Sequence, residues 1–140
     1  MNIYQKAAEV IQHAGEAYFG VIDENGYPSV STVSSIKTEG LLKAWYSGGA
    51  SGNKAKRLAR CEKASVCYHV GGDNVTLVGT ARVLTDPEIK HTLWQDWFID
   101  HFTEGKDDPE YVIIEFTAQR VSLWVDNEVA ECPVKDIPTA

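Results

Sequence analysis

The residues best suited to bind an anion lie in one segment, 45–58, which runs from a strand-like stretch through Gly48-Gly49 into a basic helix start. Glycines let the backbone come close to a ligand because they carry no side chain. The chain has a formal net charge of −7, but this segment has the opposite sign. Four of the thirteen basic residues fall within seven positions with no acid between them: Lys54, Lys56, Arg57 and Arg60.

Several kinds of hydrogen-bond donor are available to one anion at this helix start. The first N–H groups of a helix lack intrahelical partners and lie at the positive end of its dipole. The hydroxyls of Ser47 and Ser51 and the ammonium of Lys54 would add to them. The glycine spacing differs from GxxxxGK[ST] and Ala55 follows the lysine, so a nucleoside triphosphate loop is excluded. The alternative is a solvated basic helix face behind a simple glycine turn.

Hydrophobic periodicity predicts a mainly β chain around this segment. Turn residues at 23–26 and 71–74 supply two hairpins. Asp86 as an N-cap and Pro87 at the first helical position predict a helix that continues to Phe102. The other predicted helices cover the amphipathic start of the chain and residues 51–61, and the predicted strands are 17–22, 29–36, 41–47, 65–70, 75–84 and 111–125.

Six strands with hairpin connections favour a closed or nearly closed antiparallel barrel, because closure removes exposed strand edges. A sandwich of two sheets also fits the pattern. At 140 residues the chain fits one domain with a single core. We expect this domain to cover residues 1–126, followed by a C-terminal tail over residues 127–140 that is disordered after Glu131.

Composition and cysteine spacing exclude several kinds of function. Net charge −7 argues against non-specific nucleic-acid binding, which needs a surplus of Lys and Arg. No stretch approaches the roughly 18 apolar residues of a membrane span, so we expect no membrane contact and a cytoplasmic location. Cys67 and His69 face one side of a strand, but two ligands do not make a metal site, and no metal is predicted. The cysteines, which form no CxxC pair, are Cys61, Cys67 and Cys132.

The order of several short motifs carries a family resemblance. A helix, a hairpin with a Gly-x-Pro turn, a third strand ending in Tyr46-Ser47 and a Ser-x-x-Lys helix start follow one another. Gly-Lys-Asp-Asp-Pro-Glu-Tyr at 105–111 and Val-Ser-Leu-Trp at 121–124 come later. Over residues 3–126 this order resembles the pyridoxamine 5′-phosphate oxidase-like FMN-binding split barrels, and in particular their general stress protein group. The resemblance implies a mainly β (α+β) fold, a six-stranded antiparallel split β-barrel with flanking helices.

The resemblance also implies FMN as cofactor, held at the subunit interface of a homodimer. Ser47, Ser51 and Lys54 would hold the FMN phosphate, with Tyr46 beside them. Many relatives carry an arginine in the second strand, where this chain has none. Arg57, at helical spacing from Lys54, is a candidate replacement.

The flavin ring and ribityl chain would lie beside the second strand. Trp124 resembles a late aromatic residue that closes over the flavin from the partner subunit, and its alternative role is ordinary packing. The wide apolar face of the helix after Pro87 suggests a subunit interface or a cover for the flavin. The second-strand residues implied to contact the cofactor are Ser31, Thr32, Val33 and Ser34.

An FMN-dependent oxidoreductase of unassigned substrate is the function that this resemblance implies, with NADH or NADPH as candidate electron donor. The sequence shows no Ser-His-Asp, Cys-His or paired-carboxylate signature, which agrees with chemistry carried by a flavin. Pyridoxamine 5′-phosphate oxidation itself is not expected, because that activity relies on a C-terminal Arg-x-His pair and residues 124–128 read Trp-Val-Asp-Asn-Glu. The alternative is a non-catalytic stress protein that binds or sequesters flavin or haem.

Overall fold

The computed structural model describes residues 1–138 of the chain. In this part, short 3₁₀ helices occupy Asp96–Asp100, Gly105–Asp107 and Val134–Asp136. None of its helices is long and apolar enough to cross a membrane. The α-helices and β-strands follow in the order α1 (Ile3–His13), β1 (Glu16–Ile22), β2 (Pro28–Ser34), β3 (Lys37–Glu39), β4 (Lys43–Gly49), α2 (Asn53–Arg60), β5 (Lys63–Val70), β6 (Asp73–Leu84), α3 (Pro87–Leu93), β7 (Tyr111–Val125) and β8 (Glu128–Pro133).

The strands form one antiparallel sheet with the order β2-β1-β5-β6-β7-β4-β3, and β8 pairs with β7. The long β7, confirmed over its predicted range, pairs with β4 along residues 111–117 and with β8 along residues 120–125. The sheet curls until β2 and β4 approach each other, but no ladder joins these two strands. This unpaired seam, called the split below, confirms a split β-barrel with flanking helices.

Apolar side chains fill the inside of the curled sheet, and α1 covers it. Strand alternation puts Phe19, Val66 and Phe116 on the inner face, where none of them is accessible to solvent. Ala7 and Ile11 of α1 pack into the same cluster. Burying a large apolar side chain stabilises a fold by about 1.5–3 kcal/mol, so this cluster holds the walls of the split in place.

A second apolar cluster covers the outer side of β4 and β7. The helix predicted to reach Phe102 ends at Leu93, and that part of the prediction is wrong. Trp94 takes an extended backbone conformation and packs its ring against Tyr111, and the 3₁₀ helix Asp96–Asp100 follows. The apolar face predicted for this segment is therefore largely buried within the chain.

The described chain has eight strands where the sequence predicts six. One addition, β3, lies between the predicted strands 29–36 and 41–47, and β8 lies in the predicted C-terminal tail, whose part after Glu131 was predicted to be disordered. Because β7 extends beyond β4, β8 covers an edge that would otherwise be open. Asp126 and Asn127, with φ of 53° and 63°, form the tight turn between β7 and β8. Regular structure continues to Asp136, while residues 139 and 140 lie outside the described residues.

Candidate functional site

A cavity of about 340 Å³ opens at the split, between β2, the end of β4 and the start of α2. It lies on the inner side of the sheet, because Ser31 of β2 pairs with Phe19 of β1 and opposite residues in a ladder share a face. We call this cavity the cradle. It is lined by Val21, Ser29, Ser31, Gly48, Gly49, Gly52, Asn53, Lys54, Ala55, Arg57 and Ile114.

The first turn of α2 forms one wall of the cradle. Gly52 is the N-cap residue, and no side chain caps the helix. Helix geometry leaves the N–H groups of Asn53, Lys54 and Ala55 without intrahelical acceptors. The first turn contains no acidic residue. The wall therefore offers free donors at the positive end of a helix dipole, an arrangement that favours anions.

Lys54 extends from this turn into the barrel. Its side chain is half-buried, and Nζ lies 5.9 Å from the centroid of the Phe19 ring. Burial lowers the pKa of Lys54 from its ordinary value of 10.5. None of the ion pairs within residues 1–138 includes Lys54. An ammonium in this setting carries a desolvation cost that a bound anion would offset.

Arg57 adds a second cation to the cradle, three positions after Lys54 on the same face of α2. Its Nη1 donates to Ser29 Oγ at 3.1 Å. Its Nε and Nη2 donate to the two carboxylate oxygens of Glu24 at 3.1 and 3.3 Å. These hydrogen bonds from Arg57 lower the pKa of Glu24. Glu24, in the turn after β1, thus fixes the guanidinium against β2.

The structure divides the predicted second-strand residues between the two faces of β2. Ser31 lines the cradle, and Val33, two residues further along the same face, is buried in the core. Thr32 and Ser34 lie on the outer face and are exposed. Ser31 is therefore the only one of the four at the cradle, where Ser29 joins it.

Tyr46 and Ser47 do not line the cradle. Tyr46 is fully buried, and its hydroxyl forms a hydrogen bond with that of Tyr68. Burial raises the pKa of Tyr46, and it raises the pKa of Tyr68 to about 12, so both phenols are protonated at neutral pH. Ser47 is half-buried on the opposite face of β4, and the two glycines that follow it line the cradle instead.

Ser51 directs its donors to a carboxylate instead of the cradle. Its N–H and its hydroxyl both donate to Glu110 Oε1, at 2.9 and 2.5 Å. These hydrogen bonds lower the pKa of Glu110, which is therefore ionised at neutral pH. Of the three residues predicted to hold a phosphate, the structure brings only Lys54 to the cradle.

Trp124 lies on the outer face of the sheet, half exposed, between Asn74 of β6 and Val129 of β8. Tyr18 and Val30 are exposed on the same outer face. A groove of about 740 Å³ lies here, larger than the cradle but lined mainly by uncharged residues of β1, β5 and β6. Charge, rather than size, makes the cradle the candidate anion site.

Three residues around the cradle are not among the predicted site residues. Ser29 could have been found, because it shares the period-two face of Ser31. Glu24 and Glu110 lie 33 and 59 positions from their partners Arg57 and Ser51, so only the folded chain brings them together.

Comparison with known proteins gives one family and a set of similar folds. The family model described as pyridoxamine 5′-phosphate oxidase matches residues 3–125. A Clostridium acetobutylicum protein related to general stress protein 26 of B. subtilis is 27% identical, with 94% of each chain covered and a TM-score of 0.83. General stress protein 26 from Bacillus anthracis is 16% identical, with 94% of this chain and 100% of that chain covered and a TM-score of 0.78.

A haem binding protein from Mycobacterium smegmatis is 15% identical, with 95% of this chain and 58% of that chain covered and a TM-score of 0.76. The two relatives with the lower identities support the fold alone. A comparison with curated proteins gives no significant match.

Proposed function

The chain belongs to the pyridoxamine 5′-phosphate oxidase family, and from this membership and the cradle we propose that it is an FMN-dependent oxidoreductase that binds the FMN phosphate at the split. The proposal rests above all on Lys54, a half-buried cation that is in no ion pair of the described chain. A ligand of opposite charge would relieve its desolvation, and a phosphate monoester carries close to two negative charges at neutral pH.

The donors at the cradle suit a phosphate group. The free N–H groups of α2 and the ammonium of Lys54 are available at the cradle. Arg57 keeps donors beyond those that bond Glu24 and Ser29. Arg57 would take the role of the second-strand arginine that many relatives carry. Hydrogen bonds to charged groups contribute about 1.5–3 kcal/mol each, enough to hold the phosphate firmly.

The remainder of the flavin would leave the cradle along β2. The cradle, about 340 Å³ in volume, would hold the phosphate and the adjoining part of the ribityl chain, and the ring system would lie nearer the outer face. Ser31, which lines the cradle, would contact the ribityl chain, and a contact from Ser47 stays a prediction. The side chains of Tyr46 and Val33 would support the site only from within the core.

A homodimer would cover the outer face and enclose the flavin ring. Tyr18, Val30, Trp124 and Val129 expose between 43% and 80% of their surface there, beside the large groove. A two-fold axis through this face would put the same residues of both copies in contact, as cyclic dimers require. Trp124 of one copy would then reach the flavin side of the other. Sedimentation that gives a monomer at micromolar concentration, with FMN present, would contradict this part of the proposal.

FMN supplies the hydride or electron transfer when it is bound, and the chain supplies binding and orientation. Lys54 and Arg57 hold the phosphate end, and Ser29 and Glu24 orient the guanidinium. No protein nucleophile is needed for such a reaction. We propose NADH or NADPH as the electron donor. A cytoplasmic location stays a prediction.

Absorption spectroscopy tests the proposal. Purified protein that is incubated with FMN and then desalted should keep a flavin band in about one equivalent per chain, and NADH or NADPH should bleach that band without oxygen. Protein that remains colourless would contradict FMN binding.

A binding protein without turnover is the second candidate. The outer face stacks the ring of Tyr18 on that of His69, 5.8 Å apart, which gives a planar cofactor an aromatic surface and an imidazole. A haem binding protein has the same fold, and at 15% identity the likeness is one of fold alone. Retained flavin that neither nicotinamide donor reduces, or a Soret band after incubation with haem, would favour this role.

A further inference from the structure

Glu110 holds the turn between β4 and α2 from behind the cradle. Its Oε1 accepts the N–H of Ser51 at 2.9 Å and the hydroxyl of Ser51 at 2.5 Å. Its backbone carbonyl accepts the N–H of Ala50 at 2.8 Å. One residue at the start of β7 thus bonds two consecutive residues of the turn that leads into α2.

Gly49 shows how closely this carboxylate approaches the cradle. A Cβ on Gly49 would lie 2.9 Å from Glu110 Oε1, closer than real Cβ contacts. Gly49 also lines the cradle, and its carbonyl accepts the N–H of Gly52, the N-cap of α2. The carboxylate therefore approaches the same stretch of backbone that lines the cradle.

We propose that Glu110 is a positioning residue for the cradle, which acts through Ser51 to fix the turn and the start of α2, and that Ser51 does not bind the anion. This inference rests on the proposed function, because the cradle is taken to hold the FMN phosphate. It differs from the role that the family resemblance implies, in which Ser51 contacts the phosphate directly.

The alternative role for Ser51 has an electrostatic cost. To bind a phosphate, Ser51 would have to release both hydrogen bonds to Glu110, whose carboxylate would then stand unpaired next to a dianion. Lys56 is the nearby cation that favours the ionised form of Glu110, and Asp108 opposes it. While Ser51 stays bonded to Glu110, the donors of the cradle are the helix N–H groups, Lys54 and Arg57.

Amide hydrogen exchange without ligand tests the first half of the inference. In Glu110→Ala the Ser51 amide should exchange about tenfold faster than in the wild type, and in Glu110→Gln, which keeps an acceptor oxygen, close to the wild-type rate. Glu104→Ala removes an exposed acid from the same loop and should change nothing. An unchanged Ser51 amide in Glu110→Ala would overturn the inference, whether or not FMN binds.

A double-mutant cycle on FMN affinity tests the second half. Ser51→Ala and Glu110→Ala should each weaken FMN binding about threefold to tenfold, and the double variant no more than the worse single variant. Ser51→Thr, which retains both donors, should bind as the wild type, and riboflavin affinity should not change in any variant.

If the losses of FMN affinity in the two single variants multiply in the double variant, Ser51 binds the phosphate itself. That result would overturn the inference, while FMN binding would stand. Wild-type protein that binds no FMN would remove the proposed function, and the exchange experiment would then decide the role of Glu110 alone.

Discussion

Cations gather around two parts of the sheet, and at one of them, the cradle, a cation is in none of the ion pairs of the described chain. On the outer side of β7, Glu115 accepts the indole N–H of Trp45 at 3.0 Å and Arg82 Nε at 3.0 Å. Lys43 Nζ lies 3.7 Å from the same carboxylate. At the cradle, the ammonium of Lys54 is half-buried and belongs to none of the ion pairs in the described chain.

This difference separates a cluster that stabilises the fold from one that is suited to a ligand. Removal of a buried carboxylate leaves its hydrogen-bond donors unpaired, which lowers the stability of the fold. A half-buried cation with no partner lowers the stability of the empty protein and gains from a bound anion. Substitutions around Glu115 should therefore change stability, while substitutions at Lys54 should change ligand affinity.

The largest effect is expected from Glu115→Ala, which leaves the Trp45 indole without its acceptor. We expect the free energy of unfolding in urea to fall by about 2–3 kcal/mol and FMN affinity to stay unchanged. Glu131→Ala is the control, because its pair with Arg120 is more than half exposed and should contribute less than about 1 kcal/mol. Equal losses of unfolding free energy in Glu115→Ala and Glu131→Ala would contradict a structural role for the Glu115 cluster.

Lys54→Ala should have the complementary effect. We expect FMN binding to weaken by about 1.5–3 kcal/mol, roughly tenfold to a hundredfold, with no loss of unfolding free energy in the empty protein. Lys56→Ala, on the exposed side of the same helix, is the matched control and should bind FMN like the wild type. If both variants lose affinity alike, general charge attraction explains binding and the cradle does not.

Arg57→Ala should weaken FMN binding less, by about 1 kcal/mol or fivefold, because Glu24 already neutralises part of its charge. Arg60→Ala provides the comparison, since Arg60 also approaches Glu24 but does not line the cradle. Fluorescence titration of FMN with each variant distinguishes them. A greater loss of FMN affinity in Arg60→Ala than in Arg57→Ala would contradict Arg57 as the second cation of the phosphate site.

The smallest effect concerns pH. Burial opposes ionisation of Glu115, but the hydrogen bonds from Trp45 and Arg82 outweigh it and lower its pKa from the ordinary 4.5. A carboxyl whose pKa is lowered by folding contributes its full stability above its unfolded pKa and loses it as the pH falls through the folded pKa. Between about pH 5 and pH 3, Glu115→Gln should therefore lose less unfolding free energy than the wild type. Equal losses of unfolding free energy in the wild type and in Glu115→Gln over this pH range would contradict a lowered pKa of Glu115.

The family resemblance was sufficient for the fold class, which the strand pattern alone left open between a barrel and a sandwich, and the basic run after the glycines pointed to Lys54. Period-two alternation defined β7, and the basic run after two glycines marked the start of α2. Arg57 was a candidate replacement for the second-strand arginine of many relatives, and the structure brings it to the cradle. The sequence thus identified both cations that line the cradle.

Other features could not be predicted because tertiary contacts decide them. Tyr46 is placed in the core by the inward face of β4, which the resemblance alone did not distinguish from the site. Ser51 is held by Glu110, 59 positions away. β8 forms because β7 extends beyond β4, and the Asp126-Asn127 turn brings the chain back along β7.

The affinity difference between FMN and riboflavin, measured on the wild-type protein, tests the central claim most directly, because riboflavin lacks only the phosphate. A cradle with Lys54, Arg57 and free helix N–H groups should bind FMN at least about a hundredfold more tightly, as several charge-assisted hydrogen bonds are lost with the phosphate. Equal affinities for the two flavins would contradict a phosphate site at the split.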